Sequence, residues 1–268
     1  MDARYSQPPF DAVMPLGMQS GFLVGSGLIL AGFICWALIK LLRDRDSLPV
    51  LALLGGVVVC VWEPMVDVLG QCWHPISGQI TAYEALGRKI PLVLPVTNPW
   101  YFGGIAALLY YRFKRGVTAQ WLYKTWGALM IAAFLLEVTP LQYGTWIYYG
   151  DQPFRVAGFP LWWSFVNIGG VIVSATLIYA VQKFISNPLL RAAGVVCAIP
   201  VADGIANAGA GWPVWYALNL PHDAPISGYA ATYPAALLTA ALSGMLIYFC
   251  GLLVTHQNGR PASTHGVA

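Results

Sequence analysis

Four of the eleven Asp and Glu residues, Glu63, Asp67, Glu137 and Asp203, lie inside long apolar stretches. A carboxyl group is expensive to keep in such a setting and is a functional candidate by default. The competing explanation is an ion pair or a helix end wetted by the interface, and it suits Asp67 best, close to the end of its stretch. Glu63 and Asp67 are four residues apart, as are Asp203 and Asn207, so each pair shares a helix face. No Lys or Arg falls at the same depth to neutralise these acids. A carboxylic acid kept neutral by an apolar pocket is a good proton donor. The chemistry expected is therefore general acid and base catalysis. Glu63 or Asp203 would donate the proton, Glu137 would act as base or charge stabiliser, and Asp67 would stand beside them.

Aromatic and amide side chains accompany the acids. Trp62, Tyr101, Trp162 and Trp163 adjoin them in sequence or depth. Many Trp and Tyr residues in such a chain belong to an interfacial belt. These four are expected instead to line a pocket, where ring faces stabilise a cationic intermediate and keep water away. Asn98, Asn167 and Tyr101 are the expected orienting groups, and Asn207 is a further expected substrate-binding residue.

The elements that must hold these residues follow from composition. Hydrophobic residues make up 58% of the 268 residues and charged ones only 9%. A soluble domain carries roughly a quarter charged residues, so this chain could not cover a soluble surface. A net charge of +3 argues against nucleic acid as a partner. The fold class expected is all-α: a polytopic membrane protein, a single transmembrane domain over 1–268. A helix needs about 20 apolar residues to cross a bilayer. Seven stretches qualify, at 19–42, 48–70, 90–111, 120–142, 160–184, 188–207 and 230–254, with polar tails at 1–18 and 257–268. The first stretch is too long for a cleaved signal and reads as a signal anchor.

Ten of the fourteen Lys and Arg (Lys40, Arg43, Arg45, Arg112, Lys114, Arg115, Lys124, Lys183, Arg191, Arg260) fall on one side of this arrangement. Arg4, Arg88, Lys89 and Arg155 fall on the other. The excess marks the cytoplasmic face, which puts the N-terminus out, the C-terminus in and the chain in the cell membrane as a multi-pass protein. At 1.5 Å per residue, Glu63, Glu137 and Asp203 then sit roughly 22 to 26 Å above the cytoplasmic edge, and Asn98 and Asn167 roughly 10 to 12 Å below the outer one. Five helices thus bring polar groups to nearly one level. Pro64, Pro99, Pro140, Pro200 and Gly204 interrupt the helices near that level, as happens where spans line a cavity.

Two long outer loops, 71–89 and 143–159, are placed to cover such a cavity and carry His74 and Asp151, weaker catalytic candidates. The five Cys form no CxxC, and neither His74 nor His222 has a metal-ligand spacing to Cys, so no metal and no cofactor is expected. The last span has no Lys for a retinal Schiff base.

Several of these residues carry a resemblance. The stretch from Glu137 through Gly144, Trp146-Ile147-Tyr148-Tyr149-Gly150-Asp151 and Gly158-Phe159-Pro160-Leu161-Trp162-Trp163 to Asn167 resembles the bacterial carotenoid hydratases and cyclases. Trp62-Glu63 on an early helix with Asp203 on a late one is similar to the fungal meroterpenoid-type terpene cyclases, small seven-span proteins. A looser likeness, in size, topology and embedded acids, is to the avermectin-type spiroketal cyclases. The likeness covers spans two to six and lacks the double-Glu element associated with lycopene cyclases. It implies that Glu63 and Asp203 are the proton-handling pair and that the substrate is isoprenoid. The activity expected is cyclisation, hydration or isomerisation of a lipophilic small molecule drawn from the membrane lipids, begun by protonating an epoxide or alkene. The alternatives are a spiroketal cyclase acting on a polyketide and a proton-coupled transporter of a small lipophilic molecule. The orientation has a direct test: a phosphatase reporter active only outside the cytoplasm should be active when inserted in the 71–89 loop and silent at the C-terminus. The reverse pattern overturns the assignment.

Overall fold

A computed structural model of the protein describes residues 4–255. The 257–268 tail and Arg260 lie outside the described residues. The chain is mostly helical, and six helices are long and apolar enough to cross a membrane. They are α1 (Leu16–Asp44), the stretch Leu48–Leu69, α6 (Ala119–Gln142), α7 (Leu161–Phe184), the stretch Pro188–Leu218 and α10 (Tyr229–Thr255). Leu48–Leu69 comprises α2 (Leu48–Val59), a 3₁₀ turn (Cys60–Trp62) and α3 (Glu63–Leu69). Pro188–Leu218 comprises α8 (Pro188–Gly204), a π-helical segment (Ile205–Gly211) and α9 (Trp212–Leu218).

The stretch expected as the third span is also helical, but starts later. Residues 88–91 form a strand, and the helix runs through α4 (Val93–Asn98), a π-helical segment (Pro99–Gly104) and α5 (Ile105–Lys114). Thr97, Asn98, Pro99, Trp100 and Tyr101 lower its apolar character, and all five side chains are buried inside the protein. The sixth expected span is longer than its sequence signal, because the helix continues past Asn207 to Leu218.

Helix ends follow local chemistry. The Thr118 side chain accepts a hydrogen bond from Trp121 N at 3.1 Å and caps α6. Asn187 caps α8 by accepting from Leu189 N and Leu190 N, with Pro188 at the first helical position. At the end of α1, Arg45 adopts a left-handed conformation that terminates the helix.

The loops at one end of the bundle are not wholly irregular, which refines the all-α expectation. Strand β1 (Cys72–Trp73) pairs with β4 (Ile147–Tyr148), β2 (Thr81–Ala85) with β3 (Arg88–Pro91), and β5 (Arg155–Val156) with β6 (Phe159–Pro160), all antiparallel. The first pairing stitches the two long loops together as one lid. Part of the N-terminal stretch expected as a polar tail joins it. Met14 is buried, its N–H donates to Ser77 O at 2.8 Å, and the Phe10 ring meets Trp73 edge-on at 5.1 Å.

Helix α7 is the centre of the bundle. Of its most apolar window 67% is buried inside the protein, against 11% for α1 and for α6, so those two present most of their surface outward. The chains approach most closely where α2 meets the Pro99–Gly104 segment. A Cβ on Gly103 would lie 2.1 Å from Ala52 O, and one on Gly56 would lie 2.6 Å from Pro99 Cα. Small residues at such crossings let helices pack without a hydrophobic driving force. Gly103→Ala is therefore expected to destabilise the protein by about 1–3 kcal/mol. Gly127→Ala on α6, where a Cβ meets nothing within 4 Å, should be neutral or slightly stabilising. Thermal unfolding of the two variants in detergent checks the contrast.

Candidate functional site

Beneath the lid lies a cavity of about 100 Å³. A single buried water needs roughly 10–15 Å³ on this scale, so the cavity holds several or one small polar head of a larger ligand. All four embedded acids line it: Glu63 and Asp67 from α3, Glu137 from α6 and Asp203 from α8. Asn98, Tyr101, Trp163, Asn167 and Asn207 line it too. Apolar side chains, among them Phe22, Val59, Val66, Leu94, Phe102 and Leu136, complete the wall.

Backbone irregularity coincides with this wall. Glu63 follows the 3₁₀ turn, Asn98 immediately precedes one π-helical segment that carries Tyr101 and Phe102, and Asp203 lies just before the other, which carries Asn207. Such segments re-aim side chains within a helix and are frequent at functional sites. Pro64, Pro99 and Gly204 sit at these breaks, where the regular ladder is weakest.

Each acid has a distinct partner. Asn207 Nδ2 donates to Asp203 Oδ1 at 3.0 Å and to Asp203 O at 3.1 Å. The Tyr148 hydroxyl donates to Glu137 Oε2 at 3.1 Å. Burial first, then the Glu137 charge, pushes the Tyr148 hydroxyl up, so it remains a donor. Asn98 lies beside Glu63 and reaches Cys60 Sγ at 3.5 Å. Asp67 Oδ1 stands 3.6 Å from His74 Nε2. Among the described residues, no Lys or Arg lines the cavity. Several polar atoms facing this region have no hydrogen-bond partner within the protein: Asp67 Oδ2, both ring nitrogens of His74, the Tyr101 hydroxyl and Asn207 Oδ1. Each costs about 1–3 kcal/mol if left unsatisfied. Water or a polar group inside the cavity can meet these donors and acceptors.

Two expected pocket residues stand behind the wall rather than in it. Trp62 is turned toward α8, where its indole N–H donates to Pro200 O at 2.9 Å and its ring covers Gly204. Trp162 is fully buried and donates to Gln152 Oε1 at 3.0 Å, with Trp163 packed edge-on against it at 4.7 Å. A buried indole N–H needs an acceptor, and both found one away from the cavity. Conversely, the lid supplies lining residues that the spans alone did not disclose: Cys72, Trp146 and Tyr148, together with His74. Asp151 is not among the lining residues. The alternation of Cys72 and His74 along an extended segment was the available signal, because residues two apart on a strand share a face.

The lid is held by side chains that satisfy backbone carbonyls, those of Gly70, Leu218 and Leu69 at helix ends and that of Tyr148 in β4. Gln152 Nε2 donates to Gly70 O at 2.8 Å, Gln71 Nε2 to Leu218 O at 2.7 Å, Asn219 Nδ2 to Leu69 O at 2.8 Å and Arg155 Nη2 to Tyr148 O at 2.8 Å. Gly150 has φ +68°, and a Cβ there would lie 1.9 Å from Gln71 Oε1, so only glycine fits. Arg88 is buried in the lid, its guanidinium 4.9 Å from the Trp73 ring and its Nη2 donating to the Tyr149 hydroxyl at 2.9 Å. Gln152→Leu strands the buried Trp162 N–H and the Gly70 carbonyl, and is expected to cost about 2 kcal/mol or more, read as lowered thermal stability. No protein-family model, curated protein or solved structure matches the chain.

Proposed function

We propose that the chain is a multi-pass cell-membrane enzyme with seven spans, the 93–114 helix being the third, and with the lid on the outer face. Its reaction is acid/base cyclisation, hydration or isomerisation of a lipophilic isoprenoid substrate. One observation carries the reading: carboxyl groups from α3, α6 and α8 face a single covered cavity that has apolar and aromatic walls and, among the described residues, no lining Lys or Arg. A proton delivered by Glu63 or Asp203 to an epoxide oxygen or an alkene carbon leaves a carbocation. Tyr101 and Trp163 line the cavity and supply the aromatic rings that stabilise such a charge. Loss of a proton to Glu137 ends the sequence as an isomer or ring product, and capture of water ends it as a hydrate. The Tyr148 hydroxyl positions Glu137, and Asn207 positions Asp203. Away from the lid, the bundle core is built of apolar side chains such as Ile168, Val171, Ile172 and Ile178, which favours chemistry at one end over passage through the bundle.

The number of open polar atoms also favours a second reading, a spiroketal cyclase acting on an oxygen-rich polyketide. The unpartnered Tyr101 hydroxyl, His74 and Asn207 Oδ1 give substrate oxygens partners that a hydrocarbon would not use. The same acids would then serve an oxocarbenium ion.

General acid catalysis contributes about 10²- to 10⁴-fold. Glu63→Gln and Asp203→Asn, each in folded protein, should lower product formation by that order. Membranes carrying the protein are incubated with candidate isoprenoids and oxygenated polyketides, and products are weighed by mass spectrometry. Unchanged mass marks cyclisation or isomerisation, and a gain of one water marks hydration. Full turnover by both amide variants would overturn the assignment of the acids.

A further inference from the structure

The lid edge of the cavity places three side chains of different chemistry together. Asp67, Cys72 and His74 are all buried, and one ligand-type atom from each lies within 4.8 Å of the others. The local chain explains how. Asp67 lies in the last turn of α3, and the chain reverses through Gly70 and Gln71, whose φ of 53° is left-handed. It then enters β1, and Cys72 and His74, two residues apart, bring their ligand atoms back toward Asp67. The pairing of β1 with β4 and the anchor from Gln71 to Leu218 O hold the segment before any ligand arrives.

The Asp67–His74 contact has a revealing length. At 3.6 Å, Oδ1 and Nε2 are too far apart for a good hydrogen bond. Two ligands of one tetrahedral ion, with metal bonds of roughly 2.0–2.2 Å, stand about 3.3–3.6 Å apart. Asp67 Oδ2 and both His74 ring nitrogens are buried without a hydrogen-bond partner, although each residue is more than nine-tenths buried. The surroundings add Glu63, Glu137 and Asp203 and no lining cation among the described residues. We propose that Asp67, Cys72 and His74 form a binding site for a transition-metal ion of the zinc class, with its fourth coordination position open to the cavity.

The donor set selects the ion. Thiolate and imidazole suit Zn²⁺ and neighbouring borderline ions, whereas Mg²⁺ and Ca²⁺ take oxygen ligands. Three protein ligands with one open position is the pattern of zinc sites that bind a substrate or water oxygen. A coordinated thiol gives up its proton to the ion's field. The assignment does not rest on acid catalysis by Glu63 or Asp203, and either can fail alone.

The test uses the full chain, purified in detergent and stripped with a chelator. Zinc titration against a chromophoric competitor should give one ion per chain, unaffected by excess Mg²⁺. Cobalt(II) should produce a thiolate-to-metal charge-transfer absorption. Cys72→Ala and His74→Gln should each weaken zinc binding by about tenfold or more, and Cys72→Ala should abolish the cobalt band. Cys197→Ala, which removes an exposed thiol, should change neither. Glu63→Gln should leave the stoichiometry intact even where it abolishes turnover. Wild-type protein that takes up no zinc, or that shows no thiolate band with cobalt, overturns the site without recourse to any variant. So does binding that survives loss of Cys72 and His74 but not loss of Cys197.

Discussion

A carboxyl group in an apolar interior must be compensated, and the structure is organised around that demand. Four acids converge and, among the described residues, no Lys or Arg stands on the cavity wall. Burying an isolated charge would cost far more than a domain's whole stability, so a carboxyl group in such a place is held either neutral or beside a cation. Both outcomes are useful. The first supplies a proton donor, and the second a ligand for a metal ion. Their partners divide along the same line: Asp203 and Glu137 meet neutral hydrogen-bond donors, while Asp67 meets an imidazole beside a thiol.

The irregular helices are the mechanical answer to the same demand. Regular α-helices across a membrane satisfy their own backbone and leave little freedom for aiming side chains. Here a 3₁₀ turn and two π-helical segments appear at the level of the acids, and nowhere along α1, α6, α7 or α10. The close crossing at Gly56 and Gly103 lets α2 press against the segment that carries Asn98 and Tyr101. Packing stability below the cavity thus supports departures from regular geometry around it.

Composition and charge made the membrane class, most of the helices and the shared level of Glu63, Glu137 and Asp203 legible in the sequence. The reason is physical: apolar length and rise per residue are one-dimensional properties, and depth follows from counting. What counting could not reach was direction around the helix and contact across loops. Trp62 and Trp162 sit at the right level but turn away, because each indole N–H had to find an acceptor, at Pro200 O and at Gln152. The Cys72 and His74 pair looked unlike a ligand set because its third member, Asp67, arrives from a helix end across a turn. Tyr148 was hidden for a related reason, since its place depends on the pairing of β4 with β1, where its partner Cys72 lies 76 residues earlier in the chain.

The winding of Ile205–Gly211 has a further consequence, for chain length rather than chain composition. A π-helical segment closes its hydrogen bonds one residue later than an α-helix and so houses a surplus residue. Deleting one residue there would restore the regular pitch while the flanking turns keep their faces, so only side chains within the segment, Asn207 among them, would be re-aimed. Asp203, upstream, and Leu218, downstream and tied to the lid by Gln71 Nε2, would keep their places. The loss would fall on the Asn207 amide that now donates to Asp203, so a chain one residue shorter at that point would keep its cover and strip the acid of its neutral partner.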